Sequence, residues 1–256
     1  MARERSAVAG SAAERAAIAA LLDGVSVGTL VLQLERLGFP NTFMTGVVPL
    51  TPQRRFVGWA RTLRCVPMRP DLLAERRQNR PADPHRRAIE EIGPGEVLVI
   101  DARGNRQAAV MGDLLAARVQ AAGGVAVVTD GCVRDTPEIA QLGLPVYAAG
   151  AHAGIFGTQH LAADINVPIG CGGVLVLPGD LLVGDAEGVV VIPAARAREV
   201  AERAAAQEAL DGFLREKIRQ GVPLARAYPP DEALLAEYRA WAAERPARPE
   251  GTRAAE

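Results

Sequence analysis

Asp113 and, after twenty intervening residues, the adjacent pair Arg134-Asp135 are the positions of this chain best suited to chemistry. Gly112-Asp113-Leu114-Leu115 opens a helical pattern, with Asp113 placed as its N-cap. The N–H groups of Leu114 and Leu115 then belong to the first-turn donors that no helical carbonyl satisfies. Such a turn, helped by the helix dipole, can hold a carboxylate. Taken alone, an Asp in that position more often caps its helix and does nothing else.

The second segment, Asp130-Gly131-Cys132-Val133-Arg134-Asp135-Thr136-Pro137, follows an apolar strand pattern. It sets a guanidinium and a carboxylate at the carboxyl end of a strand, the edge where open α/β sheets collect ligands. Arginine suits a planar carboxylate or keto-carboxylate through paired hydrogen bonds. Aspartate is a hard oxygen donor for Mg²⁺, which keeps several waters and takes one or two protein carboxylates. A helix cap at Asp135 or Thr136, with Arg134 in a surface ion pair, explains this segment alone equally well.

The elements around these positions follow from periodicity and caps. Ser11 with Glu14 three residues on forms a capping box for a helix over 11–22. A second helix covers about 27–37, ended by Gly38 and Pro40. Residues 55–63 alternate like a strand, and 69–88 read as an exposed loop followed by a short helix. Strands are expected at 96–101, 108–111, 125–128 and 146–148, with helices from about 114 to 122 and from Thr136 to Gly143. Three or four β segments follow between Ile165 and Ile192, separated by Gly-rich turns. Pro193 starts a long helix, about 194–219, and a last helix at about 231–243 precedes a charged tail expected to fray. This is one α/β domain over 1–256, with a core at about 20–195, an N-terminal helical arm and a C-terminal arm at about 194–245.

Composition narrows the function classes. A net charge of −1 and a pI near 6.4 lack the basic excess of a nucleic-acid binder. No apolar run is long enough for a membrane span, and the start reads as no signal peptide, so a cytoplasmic location is expected. Cys65, Cys132 and Cys171 form neither a disulfide framework nor a zinc set and are expected to be buried thiols. His85, His152 and His160 show no ligand spacing and gain no catalytic role.

Together, Asp113 and Arg134-Asp135 resemble the signature of the 4-hydroxy-4-methyl-2-oxoglutarate / 4-carboxy-4-hydroxy-2-oxoadipate aldolases, class II pyruvate aldolases of the RraA-like family. The likeness continues through 167–174 and 178–193 and covers roughly 20–220. It implies a swivelling β/β/α-type domain in a homotrimer or homohexamer, acting on a small 2-oxo acid with Mg²⁺ or Mn²⁺. By the same resemblance, Asp135 would ligate the metal and Asp113 would hold waters around it. Arg134 would contact the pyruvyl group, and the Gly112–Leu115 turn would bind its carboxylate. Glu208 is the candidate for a glutamate that reaches the metal waters from a neighbouring subunit.

The implied reaction is carbon–carbon cleavage releasing pyruvate, with secondary oxaloacetate decarboxylation through the same enolate. The chain departs from many relatives at Val31-Leu32-Gln33-Leu34, where they carry an Asp, at about 69–88, and at His152–His160. Two alternatives stand beside the aldolase. One is a dedicated oxaloacetate decarboxylase or other 2-oxo or hydroxy-acid lyase. The other is a non-enzymatic regulator of an RNA-processing endonuclease, the role from which the family takes its name.

Overall fold

β-Branched and aliphatic runs bounded by glycine turns build one mixed sheet, and amphipathic helices cover its outer surface. The computed structural model of the chain describes residues 10–52 and 55–244. The extreme N-terminus and the tail expected to fray beyond 244 lie outside the described residues.

Two helices come first, α1 (Ala12–Leu21) and α2 (Val27–Arg36), followed by strands β1 (Val48–Pro49) and β2 (Phe56–Pro67). Helices α3 (Pro70–Gln78) and α4 (Pro84–Glu90) precede β3 (Glu96–Asp101), α5 (Asp113–Ala121), β4 (Ala126–Thr129) and β5 (Cys132–Val133). Next come α6 (Thr136–Leu142), β6 (Val146–Ala148), β7 (Gly150–Ala151), β8 (His160–Ile165), β9 (Ile169–Cys171) and β10 (Val174–Val176). The chain then runs through β11 (Leu181–Asp185), β12 (Gly188–Ile192), α7 (Ala197–Arg219), α8 (Leu224–Ala227) and α9 (Glu232–Ala243).

The main sheet runs β1-β6-β4-β3-β2-β11-β12, and β8 also pairs with β2. Strands β2, β3, β4 and β6 are parallel, while β1, β8, β11 and β12 are antiparallel to their neighbours. The long β2 is shared along one side: its first half pairs with β11 and its second half with β8. Beyond β12 the sheet bends back on itself. Met44 N–H donates to the Val189 carbonyl (2.9 Å) and Val191 N–H to that of Thr42 (2.8 Å), and β1 a few residues on joins β6. The segment from 42 to 49 thus almost closes the sheet into a barrel.

Period-two alternation sorts the strand residues between two cores. Val97, Val99 and Val128 face inward with Tyr147, Ile169, Val174 and Val189. Leu98, Ile100 and Val127 face outward and pack with Ala88, Ala116, Val119 and Ile139 of α4, α5 and α6. Burial on both faces explains why β3 and β4 read as continuous apolar runs. A third core holds α1, α2 and the start of α7 against β11 and β12.

Most sequence-based elements are present. Ser11 accepts from Glu14 N–H as the cap of α1, and Gly143 ends α6 in the left-handed conformation. Two expectations are corrected. The 69–88 stretch carries helix α3 before a short 3₁₀ turn and α4, because Pro70 and Pro84 each occupy a first-turn position and tolerate helix there. Residues 108–111 form no strand, only an isolated bridge between Ala109 and Cys132. Their backbone is held by neighbouring loops, a tertiary contact that local alternation does not encode.

His85 yields a stability prediction. Its ring stacks on Phe156 at 4.1 Å with planes 10° apart, it is buried, and its Nε2 has no partner among the described residues. Burial pushes its pKa down to about 4, below the usual value near 6.5. The folded state therefore binds fewer protons than the unfolded chain between those values, and stability falls as pH drops through that window. The loss should reach on the order of 3 kcal/mol by pH 4. His85→Leu should flatten this limb in urea denaturation at pH 4.5 against pH 7; an unchanged slope would contradict the assignment.

Candidate functional site

The two sequence segments meet at the carboxyl ends of the parallel strands. Asp130, just after β4, binds the loop after β3: its carboxylate accepts Ala102 N–H (2.7 Å) and Gly104 N–H (2.9 Å). Burial raises the Asp130 pKa, opposed by these backbone hydrogen bonds. The loop then runs beside β5, with Val110 N–H on the Cys132 carbonyl (2.7 Å) and Arg134 N–H on that of Met111 (3.0 Å). Gly112-Asp113 and Arg134-Asp135 are thereby neighbours. Sequence reasoning misses Asp130, although an acid directly after a buried strand is the available signal.

Gly112, not Asp113, is the N-cap of α5, so Asp113 is the first helical residue. Ala116 N–H takes the Gly112 carbonyl (3.1 Å), which sets the first helical hydrogen bond one residue earlier than an Asp113 cap would. The N–H groups of Asp113, Leu114 and Leu115 are then the orphan donors of the first turn. The backbone N–H and the side chain of Asp113 lie close enough to the Asp135 carboxyl to help lower its pKa. Leu114 is 80% exposed, which leaves that turn open to solvent.

Asp135 sits in the left-handed region (φ 55°, ψ 40°), where its carboxylate caps no helical N–H. It accepts instead from Arg134 Nε at 3.0 Å. The Arg134 guanidinium, then the Asp113 backbone and side chain, hold the Asp135 carboxyl below the usual carboxylate range despite some desolvation. The arrangement leaves no room for a side chain at residue 112. A Cβ on Gly112 would overlap the Asp135 carboxylate and come within 3.2 Å of Arg134 Cγ. Gly112 has φ −123°, which any residue adopts, so Gly112→Ala should fold normally yet displace both side chains. If the cluster is catalytic, kcat should fall by about 10²-fold, in line with a misplaced preorganised group. Wild-type rates for a folded Gly112→Ala would show that this crowding is irrelevant to function.

Residues 18–191 match the family pattern described as RraA-like: Aldolase/RraA. The chain belongs to the RraA-like family. A protein of Halalkalibacterium halodurans, provisionally named 4-hydroxy-4-methyl-2-oxoglutarate aldolase, is 37% identical over 142 residues, covering 56% of this chain and 67% of the relative. One of Ectopseudomonas mendocina with the same provisional name is 39% identical over 107 residues, covering 42% and 65%. The matches thus span about two thirds of these relatives. The crystal structure of RraAS2 from Streptomyces coelicolor, an unusual member of the RNase ES inhibitor RraA protein family, aligns with TM-score 0.68 and 33% identity over 77% of this chain and 96% of that one. An uncharacterized protein from Pseudomonas syringae pv. tomato aligns with TM-score 0.72 and 25% identity over 83% and 96%.

The RraA-like fold leaves the other sequence candidates apart from this cluster. Glu208 of α7 accepts from Thr29 Oγ1 (2.8 Å) and from the N–H and hydroxyl of Ser26 (both 3.3 Å), so within its own chain it ties α7 to the start of α2. All three cysteines are buried and free, and burial pushes the Cys65 thiol up to about 12. They are unsuited to nucleophilic work. His85 and His160 are buried and flank Phe156. His152 is different: its N–H donates to the Val133 carbonyl (2.9 Å), which sets its backbone beside Arg134. Its Nδ1 accepts Gly154 N–H at 2.9 Å, so the neutral ring carries its proton on Nε2. Only strand pairing reveals this neighbour; no sequence spacing does.

No helix among the described residues is long and apolar enough to cross a membrane. No cluster of three or more His, Cys, Asp or Glu side chains suited to a metal occurs among them either. A site for Mg²⁺ needs fewer protein ligands than that. The adjacent Asp113 and Asp135 carboxyls, with Asp135 31% exposed, fit a cation that keeps most of its waters.

Proposed function

We propose that this protein is a divalent-metal-dependent lyase that cleaves 4-hydroxy-4-methyl-2-oxoglutarate, or a related 4-hydroxy-2-oxo dicarboxylic acid, and releases pyruvate. The observation that carries the reading is the meeting of Arg134, Asp135 and Asp113 at the open first turn of α5. The provisional names of the relatives point the same way.

In this reading the free N–H groups of Leu114 and Leu115 bind the substrate's 1-carboxylate, aided by the helix dipole. Arg134 lies against the 2-oxo group, where the cleavage develops enolate charge, and stabilises it electrostatically. Asp135 is the protein ligand for Mg²⁺ or Mn²⁺, and Asp113 orients water beside it. The bound cation would supply Lewis-acid stabilisation of the same charge. The left-handed backbone at Asp135 keeps its carboxylate off the α6 N-terminus and turned toward Asp113. Loss of carbon dioxide from oxaloacetate develops the same enolate, so secondary decarboxylation is expected. A homotrimer or homohexamer remains part of the proposal, supported by membership of the RraA-like family. Glu208 commits Oε2 to the start of α2, so Oε1, 3.9 Å from Arg215, is the oxygen left to serve a neighbouring site.

Pyruvate release from a panel of 4-hydroxy-2-oxo acids and from oxaloacetate, with Mg²⁺ and with chelator, tests the proposal. Release from the hydroxy acids that stops with chelator supports it. Release from oxaloacetate alone would replace it with a dedicated decarboxylase. The similarity to RraAS2 favours one further reading, a regulator that binds an RNA-processing endonuclease. Capture of that enzyme together with absence of turnover would decide for it.

A further inference from the structure

A short stretch of parallel backbone carries the proposed site. Cys132 pairs with Gly150 and Val133 with Ala151 on one side, and Ala109 bridges to Cys132 on the other. The His152 N–H to Val133 hydrogen bond extends this pairing, so Arg134 lies between Met111 and His152. Residues two apart on a strand share a face, so Cys132 and Gly150 share one with Arg134 and His152, about 7 Å back along the strand.

Arg106 lies over that face. Its Nη2 is 3.1 Å from where a Cβ on Gly150 would stand, with Cys132 Sγ at 3.9 Å from the same point. Gly150, at φ 153°, carries no side chain and leaves the guanidinium this space. Arg106 is exposed, and its guanidinium forms no hydrogen bond or ion pair with the described residues. It lines a cleft of about 370 Å³ with Gly104, Asp130, Ala149 and Gly172. The acid in that lining, Asp130, has its two oxygens committed to the N–H groups of Ala102 and Gly104. An unpaired cation therefore faces open space one dipeptide step from Arg134.

We infer that Arg106 binds the distal carboxylate of the substrate and so selects dicarboxylic over monocarboxylic 2-oxo acids. The inference rests on the lyase reading for the placement of the pyruvyl half. Four carbon–carbon bonds of about 1.5 Å separate the two carboxyl carbons of a five-carbon diacid by about 5 Å when extended. A hydrogen bond of about 3 Å to a guanidinium completes the span from the Arg134 position to Arg106.

The test measures binding of 2-oxoglutarate and of pyruvate to the full chain with Mg²⁺, by calorimetry, in wild type and in Arg106→Gln. The wild type should prefer 2-oxoglutarate by at least about tenfold, the scale of one charge-assisted hydrogen bond. Arg106→Gln should lose that preference while its affinity for pyruvate stays unchanged, and Arg106→Lys should regain part of it. A wild type without the preference, a variant that keeps it, or a variant that loses both ligands alike would overturn the inference. Pyruvate release from 4-hydroxy-4-methyl-2-oxoglutarate, assayed in parallel, separates the two claims. Arg106-dependent preference without turnover discards the lyase reading and keeps Arg106 as a dicarboxylate contact. Turnover with equal kcat/KM in wild type and Arg106→Gln discards Arg106 and keeps the lyase.

Discussion

Replacing Asp135 with Asn is expected to abolish metal-dependent pyruvate release while leaving the protein folded. The substitution keeps size and shape but removes the charge that would hold a divalent cation. The fold should tolerate it for two reasons. Asparagine is among the residues that accept the left-handed conformation seen at φ 55°, ψ 40°. The Asp135 side chain also caps no helical N–H, so no helix loses a hydrogen bond. Asp135→Ala is the poorer test, because an ordinary side chain in that conformation adds about 1–2 kcal/mol of strain. Turnover should fall by a factor on the order of 10³ or more, beyond the loss of a single preorganised donor. Steady-state rates at saturating Mg²⁺, with circular dichroism to check folding, measure the effect. Near-normal rates in the variant, or in chelator-treated wild type, would remove Asp135 from the metal site.

Arg134→Ala should lower kcat and kcat/KM together by about 10²–10³-fold, because a contact that tightens as enolate charge develops stabilises the transition state more than the ground state. The ion pair with Asp135 cannot itself account for such a loss. At 3.0 Å, but with side chains 40% and 31% exposed, it is a surface pair of the kind worth about 0–1 kcal/mol. A purely structural Arg134 would therefore leave catalysis intact and shift stability slightly. Arg134→Lys should recover only part of the rate, since an ammonium keeps the charge and loses the planar fork. A raised KM with unchanged kcat would reduce Arg134 to ground-state binding. No kinetic change would remove it from the site.

The sequence alone determined the order of elements wherever local chemistry leaves little choice. Ser11 caps α1, the doubly buried apolar runs make β3 and β4, and Gly143 ends α6 because it takes φ 77° without steric cost. Asp113 and Arg134-Asp135 stood out because residue type and spacing survive in one dimension. Their contact did not: it depends on Asp130 pinning the loop after β3 and on loop pairing beside β5. The same nonlocal pairing made a bridge, not a strand, of 108–111 and moved the α5 cap from Asp113 to Gly112. It also set His152 beside Arg134 and left Gly150 bare beneath Arg106, residues with no legible spacing. Strand and helix periods are short-range properties of the chain. Which loops lie side by side is fixed by parallel pairing across long separations, and only the folded sheet decides it.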